Sequence, residues 1–445
     1  MQRFIFCMLM IVLFIYNSPR HTIGFEYFFK QGVTIRGSID MNDQGDDEDT
    51  SFGHLVFTPQ IEIEHDEIIE AKASLKADYI YANNFQNDMD QKEIRIWDSY
   101  VTFKRENFWL SVGNLLVRWG KADEFSPLDN VNPQDLRELI FADLEERKRP
   151  VPMAHLRIFR GEATFEFVFS PRLNHHKRNY FDTDWAVFKH YLDEFKGLQR
   201  IRRQKSTYSL RDSEMGFRWS FQLEGVDIGA SIFYGHDRSP YPALRFPNDH
   251  ALNFESLTSP EVMGRLTGFI TLLPPAPVLR VEYPRDTVIG FEFETVMGSY
   301  GLRGEFAYHS GRVFLRDDGS YCQKEYYQYV IGVDRFFDND LYLNLQFYQQ
   351  VIGSYGDFIL FDPEVDSGFT AKVLWPFADE KWEFSFNGFY SLASEMWYVN
   401  PEIRWKPIDN IYLFLGVHSI YGDEGSYFDL YDGNSDFYLG LKLIL

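Results

Sequence analysis

The chain has 445 residues and two cysteines, Cys7 and Cys322. Cys7 falls in a leader segment. That leaves no partner for an internal disulfide, no cysteine-ligated zinc site and no CxxCH haem attachment. Long apolar runs are scarce as well. Past Tyr16 nothing approaches the roughly 20 residues that a membrane-spanning helix needs. Basic residues are outnumbered, 44 Lys and Arg against 66 Asp and Glu, for a formal net charge of −22. That balance argues against nucleic acid as a partner. There is no nucleophile elbow, no HExxH and no phosphate-binding glycine loop. The chain is therefore expected not to be an enzyme, and no cofactor or metal is implied. The acidic run Asp40–Asp49 has the look of a calcium loop, but Ser51 stands at the twelfth position, where an EF-hand needs glutamate. It reads as a solvated loop, with a weak divalent site bridging to lipopolysaccharide as the alternative.

Aromatic residues are what the chain has in excess: 43 Phe and 27 Tyr, with aromatics at 18%. Mean hydropathy is nevertheless slightly polar, −0.32. Alternating Phe with charge produces both totals at once, and that is the composition of a membrane barrel. The N-terminus begins with Arg3 and the apolar stretch Phe4–Tyr16, then reaches the small residues Thr22 and Gly24. We read residues 1–24 as a signal peptide and 25–445 as one barrel domain.

Period-two alternation recurs along the chain. Ala71, Ala73, Leu75 and Ala77 alternate with Lys72, Ser74, Lys76 and Asp78. Ala163, Phe165, Phe167 and Phe169 alternate with Thr164 and Glu166. Phe217, Trp219 and Phe221 flank Arg218 and Ser220; Leu343, Leu345 and Phe347 flank Asn344 and Gln346; Trp382, Phe384 and Phe386 flank Glu383 and Ser385. The strands run to about 10–13 residues, close to a tilted membrane crossing. Short turns, such as Arg160-Gly161 and Gly298-Ser299, alternate with long connections, such as Gly120–Pro150 and His236–Asp286. This is the rhythm of periplasmic turns and extracellular loops. The pattern predicts an all-β, transmembrane, antiparallel up-and-down barrel of about 18 strands, within 16–20. The stretch Glu261–Tyr283 decides whether two more strands cross. Around Ile94–Phe103 and Asn114–Leu116 the apolar face changes sides, which predicts a bulge or a wall covered by protein. The last strand, Tyr438–Leu445, resembles the signal read by the barrel-assembly machinery.

By register, Lys72, Lys76, Asp78, His155, Arg157, Arg218 and Glu383 face inward. In the hairpin Thr287–His309, a Gly-first two-residue turn at Gly298-Ser299 places Glu294 opposite Arg303 and Glu292 opposite Glu305. These eleven residues are the pore-lining candidates. They read either as a charge array shaping the pore field or as cross-strand pairs holding the wall. One helix is expected in a long loop, at Pro133–Arg147. Asn132 would cap it, Pro133 suits its first position, and Leu136, Leu139, Ile140 and Leu144 form a stripe. Asp135, Glu138, Glu145 and Arg147 are its constriction candidates if it folds inward; otherwise it lies on extracellular loops. The basic stretch Arg172–Lys205, with His175-His176, suits an anionic solute or lipopolysaccharide phosphate, or merely balances the acidic loops.

The run VGNLLVRWGKADEFSPLDNVNPQDLRE, followed by RPVPMAHLRI and EFVFSP, carries a resemblance, as does VEYPRDTVIGFEFET followed by LRGEFAY. The matching residues are Gly113, Trp119-Gly120, Asn132-Pro133, Asp135-Leu136, Pro150 and Pro152. They resemble a family of Gram-negative outer-membrane barrel proteins known mainly as a domain of unknown function. Its members are thought to be porin-like, and many are encoded beside lipid-type exporters. The resemblance implies architecture and an outer-membrane location, with lipid and lipopolysaccharide around the barrel and room for a periplasmic partner. The expected function is passive passage of small solutes or hydrophobic compounds. Three other roles remain: a sheath for an electron-conduit cytochrome, an exporter component, or a plugged surface barrel.

Overall fold

A computed structural model describes residues 26–40, 51–83, 89–179, 185–186, 201–203, 207–238, 241–245, 278–317, 321–424, 426–431 and 433–444. The expected signal peptide, residues 1–24, and residues 41–49 of the acidic run lie outside them.

The alternating stretches form strands because a period of two separates an apolar from a polar face. In chain order they are β1 (Glu26–Asp40), β2 (Ser51–His65), β3 (Ile69–Asn83), β4 (Met89–Ile96 and Ser99–Arg105), β5 (Phe108–Leu115), β6 (Val151–Arg160), β7 (Ala163–Ser170), β8 (Glu214–Leu223) and β9 (Val226–His236). They continue as β10 (Arg285–Met297), β11 (Tyr300–Leu315), β12 (Tyr321–Phe336), β13 (Tyr342–Ile352), β14 (Val365–Phe377), β15 (Trp382–Ser391), β16 (Trp397–Ile408), β17 (Ile411–Tyr421) and β18 (Asp436–Ile444). Each pairs antiparallel with its neighbour, and β18 pairs with β1, so the sheet closes. Closure leaves no edge strand exposed. Both segments of β4 pair with β3, so they count as one stave and the barrel has eighteen.

The interruption in β4 is the expected bulge. Arg95 lies opposite Lys76, and Tyr100 lies opposite Lys72. Five steps on one strand therefore match four on the other, which turns the apolar side over. The gap is sealed: the Trp97 N–H donates to the Ser74 carbonyl at 2.8 Å, and the Ser74 N–H donates to Ser99 Oγ at 2.8 Å. Gly113, at φ +150°, lets the next strand approach this kink. A Cβ there would sit 2.3 Å from the Ser99 carbonyl oxygen.

Three short strands, Ile201–Arg203, Tyr241–Arg245 and Val278–Glu282, form a separate sheet. The end of the stretch Glu261–Tyr283 therefore adds no stave to the barrel.

Large apolar side chains point outward, among them Phe291, Leu345 and Leu439. Asp78, Gln346 and His418 are buried inside. This inverts a soluble domain and matches a barrel whose outside is not water. On one side the lumen holds an apolar core of its own. Leu115, Val117, Trp119, Val151, Met153, Val168, Phe233 and Val288 pack around Leu128 and Val131. This is the covered wall predicted where the pattern changes sides near Asn114–Leu116.

Candidate functional site

Residues 116–150 fold into the lumen and cross it. Gly120 makes the entry. At φ +91°, a Cβ on it would lie 2.2 Å from Ser126 Oγ and 2.7 Å from Glu305 Oε1. Only glycine lets the Glu305 carboxylate reach in to accept the N–H groups of Lys121 and Ala122 and the Ser126 hydroxyl, the last at 2.7 Å. Arg303, two residues away on β11, donates to the Lys121 carbonyl at 3.0 Å and pairs with Asp334.

The helix expected over Pro133–Arg147 is mostly not there. Only Leu144–Arg147 is helical, and it lies in the lumen. Asn132 caps nothing. Its amide oxygen accepts from the Val117 N–H at 2.8 Å, and its amide nitrogen donates to the carbonyls of Leu115 and Arg149. Leu139 has φ +48°, and Gln134 bridges to Lys148. The apolar stripe gave way to ion pairs that seat Arg137 and Glu138 on the adjoining strands β1, β2 and β3. Arg137 reaches Asp78 and Asp135, each at 2.8 Å. Glu138 accepts from Arg36 and from His54, the latter at 2.7 Å. Burial alone would push the Asp135 carboxyl up, but the Arg137 guanidinium beside it holds it well below the usual range. His176 is held neutral by burial, so its Nδ1 can accept the Gln134 N–H at 2.8 Å.

On the far side, aromatic rings fasten the segment to the wall. Phe125 stacks on Phe389 and Tyr348, at 4.9 and 5.8 Å between centroids. Phe141 stacks on His418 at 4.3 Å and on Tyr398 at 5.3 Å.

Two cavities flank the segment, one of about 350 Å³ toward the long loops and one of about 640 Å³ toward the short turns. Both are lined by Asp123, Glu124, Phe141 and Asp143 of the segment and by Lys372, Asn387 and Asn400 of the wall. These residues form the seam between them. The wall side is a straight row across four strands: Asn344 opposite Lys372, Lys372 opposite Asn387, Asn387 opposite Asn400. Among the described residues neither Lys372 nor Asp143 has an ion-pair partner within 4 Å. Burial, then Glu146, pushes the Asp143 carboxyl up, against Arg404, Lys372 and Lys442.

The hairpin register is as expected, with Glu294 opposite Arg303 and Glu292 opposite Glu305. The charges do not form one open array, however. Arg218 bridges Glu166 and Glu292, and His155 bonds Glu166 at 3.0 Å. Glu294 holds Lys121 at 2.8 Å. Lys72 pairs with Asp98 at 2.8 Å; Lys76 sits 4.5 Å from the centre of the Trp97 ring. Arg157 covers Trp109, and Glu383 pairs with Arg404 at 3.1 Å. Arg147 binds the Ile140 carbonyl and Glu124, while Glu145 is exposed. In the basic stretch, Arg178 donates to the Tyr427 hydroxyl at 2.8 Å. Sequence reasoning missed Lys372, Asn387 and Asn400, whose only signal was an inward register on their own strands. It also missed Arg238, which donates to the carbonyls of Asn130, Val131 and Asn174 and so stitches the segment down.

Comparison with known proteins supports this architecture. Over 95% or more of this chain the fold is similar to the crystal structures of OccAB4 and OccAB1 of Acinetobacter baumannii. The first is 10% identical with a TM-score of 0.52, covering 96% of this chain and all of that one. The second is 9% identical with a TM-score of 0.51, covering 95% of this chain and 96% of that one. No curated protein matches the sequence. A family model described as "Protein of unknown function (DUF1302)" matches residues 30–336. The chain belongs to that family, and its fold is a closed, porin-like barrel of eighteen antiparallel strands.

Proposed function

We propose that this protein is an outer-membrane channel for passive passage of small solutes, narrowed from within by residues 116–150. The observation that carries the reading is the pair of cavities meeting at one polar seam. A solute that passes must cross between Asp143 and Lys372, so pore width and these charges set selectivity. The apolar outer band, the closed sheet and the similarity to other barrels support the membrane location. No helix among the described residues is long and apolar enough to span a membrane. The chain's own segment fills the space that a cytochrome in a sheath would need, which favours a channel over that role.

Single-channel conductance of the refolded mature chain in a planar bilayer tests this. Discrete ion-conducting steps are expected. A folded, silent barrel would overturn the channel in favour of a plugged surface barrel.

A further inference from the structure

On the assumption that the channel reading holds, we infer that the cavity toward the long loops is a binding site for a neutral, polyhydroxylated solute of the sugar class. The inference comes from which polar groups there are already used. Away from Lys372 and Asp143 at the seam, several of the charged ones are spent. Asp286 accepts from His309 at 2.7 Å and from the Gly311 N–H at 2.9 Å. Arg238 is consumed by backbone carbonyls, and Arg147 by Glu124 and the Ile140 carbonyl.

Four of the neutral groups keep hydrogen-bonding capacity. Among the described residues Gln350, Thr370 and Asn387 make no side-chain hydrogen bond, and all three line this cavity. Asn400 donates to the Val417 carbonyl and the Tyr438 hydroxyl, which leaves its amide oxygen unused. These side chains come from four adjacent strands, β13 to β16: Asn387 lies opposite Asn400, Thr370 lies opposite Phe389 two positions nearer the long loops, and Gln350 lies four positions beyond Gln346, the residue opposite Thr370, so they step down the wall from the long loops to the seam. Each amide offers donors and acceptors without net charge, the same pairing that a hydroxyl offers. Beside these amides, above the seam, an ion would lose hydration against groups that carry no net charge. A sugar loses hydroxyl hydration and regains it one amide at a time. The half-buried Phe125 lines the same cavity and presents an apolar ring to the C–H face of a pyranose. Lys372 and Asp143 stand at the inner end, where the sugar leaves for the second cavity.

Two measurements on the full mature barrel test the assignment. In detergent, maltose is titrated and heat of binding recorded; this readout needs no open pore. In a bilayer, maltose, a polyethylene glycol of matching size and succinate are compared as blockers from the long-loop side. Saturable maltose binding is expected, with maltose blocking current more strongly than either control. The double variant Thr370→Ala, Asn387→Ala should weaken maltose binding about fivefold for each hydrogen bond lost. Absence of saturable maltose binding in detergent would overturn the sugar site, and so would stronger block by succinate. A barrel that binds maltose yet passes no current would overturn the channel reading and leave the site standing.

Discussion

The ring of Phe125 lies on that of Phe389, with centroids 4.9 Å apart and planes 18° from parallel. One ring belongs to the inward-folded segment and the other to the barrel wall. The contact closes one side of the lumen without a covalent bond. Such pairs contribute about 1 kcal/mol beyond buried area. Phe125→Ala should therefore loosen the segment and raise mean conductance and open-state noise, while the barrel stays folded. Deleting 135–146 should raise conductance further. Single-channel recording checks both, and unchanged conductance in the deletion would move the constriction elsewhere.

Glu305 anchors the entry of the segment. Glu305→Ala would strand two backbone N–H groups and the Ser126 hydroxyl, each costing about 1–3 kcal/mol when buried. Gly120→Ala would meet Ser126 and Glu305 at once and demand a left-handed backbone. Both variants should lower the unfolding midpoint in a urea titration. Gly225→Ala makes a useful control, since nothing lies within 4 Å of its would-be Cβ. Its residual penalty comes from φ +79° alone, so it should shift the midpoint less.

Selectivity should follow the seam more than the hairpin. Lys372→Glu turns the wall cation of the seam into a carboxylate facing Asp143. Reversal potentials in a salt gradient should move toward cations. Arg303→Ala should change selectivity less, because Arg303 is already paired with Asp334 and the Lys121 carbonyl. The opposite ranking would return the pore field to the hairpin.

Two aspartates give opposite pH behaviour. The carboxyl of Asp143 is raised, so it takes up a proton sooner than an ordinary aspartate as the solution is acidified. The seam then keeps Lys372 and loses its negative partner, and anion selectivity should grow as pH falls. Asp135 is depressed by Arg137. Its contribution to stability is present above the ordinary aspartate value of 3.8 and is lost as pH falls below that. The segment should therefore loosen only in strong acid, seen as a rise in conductance noise below about pH 4. Asp135→Asn should remove that step.

Arg218 holds two carboxylates, Glu166 and Glu292, on the covered side of the lumen. Arg218→Leu would leave Glu292 buried without the arginine and Glu166 with His155 alone. The expected cost is about 3–5 kcal/mol, read as a lower urea midpoint. Adding Glu166→Gln and Glu292→Gln should recover part of it.

The sequence determined the barrel by itself. Strand faces follow from a period of two, so Phe291 and Leu345 had to point one way and Glu292 and Asn344 the other. A Gly-first turn fixed the hairpin register at Gly298. The apolar change of side near Leu115 pointed to a bulge or a covered wall, because an apolar side chain turned toward the lumen needs something to cover it. What covers it was not legible. Residues 133–147 have helical spacing, but Arg137 and Glu138 are drawn to walls supplied by β1, β2 and β3, far away in sequence. Those ion pairs exist only once the barrel has closed. The seam is decided the same way. Asn344, Lys372, Asn387 and Asn400 are ordinary inward positions on four strands, and only the pairing of those strands sets them in one row facing Asp143. Local periodicity is a property of neighbouring residues, whereas a lumen is made by residues that closure brings together.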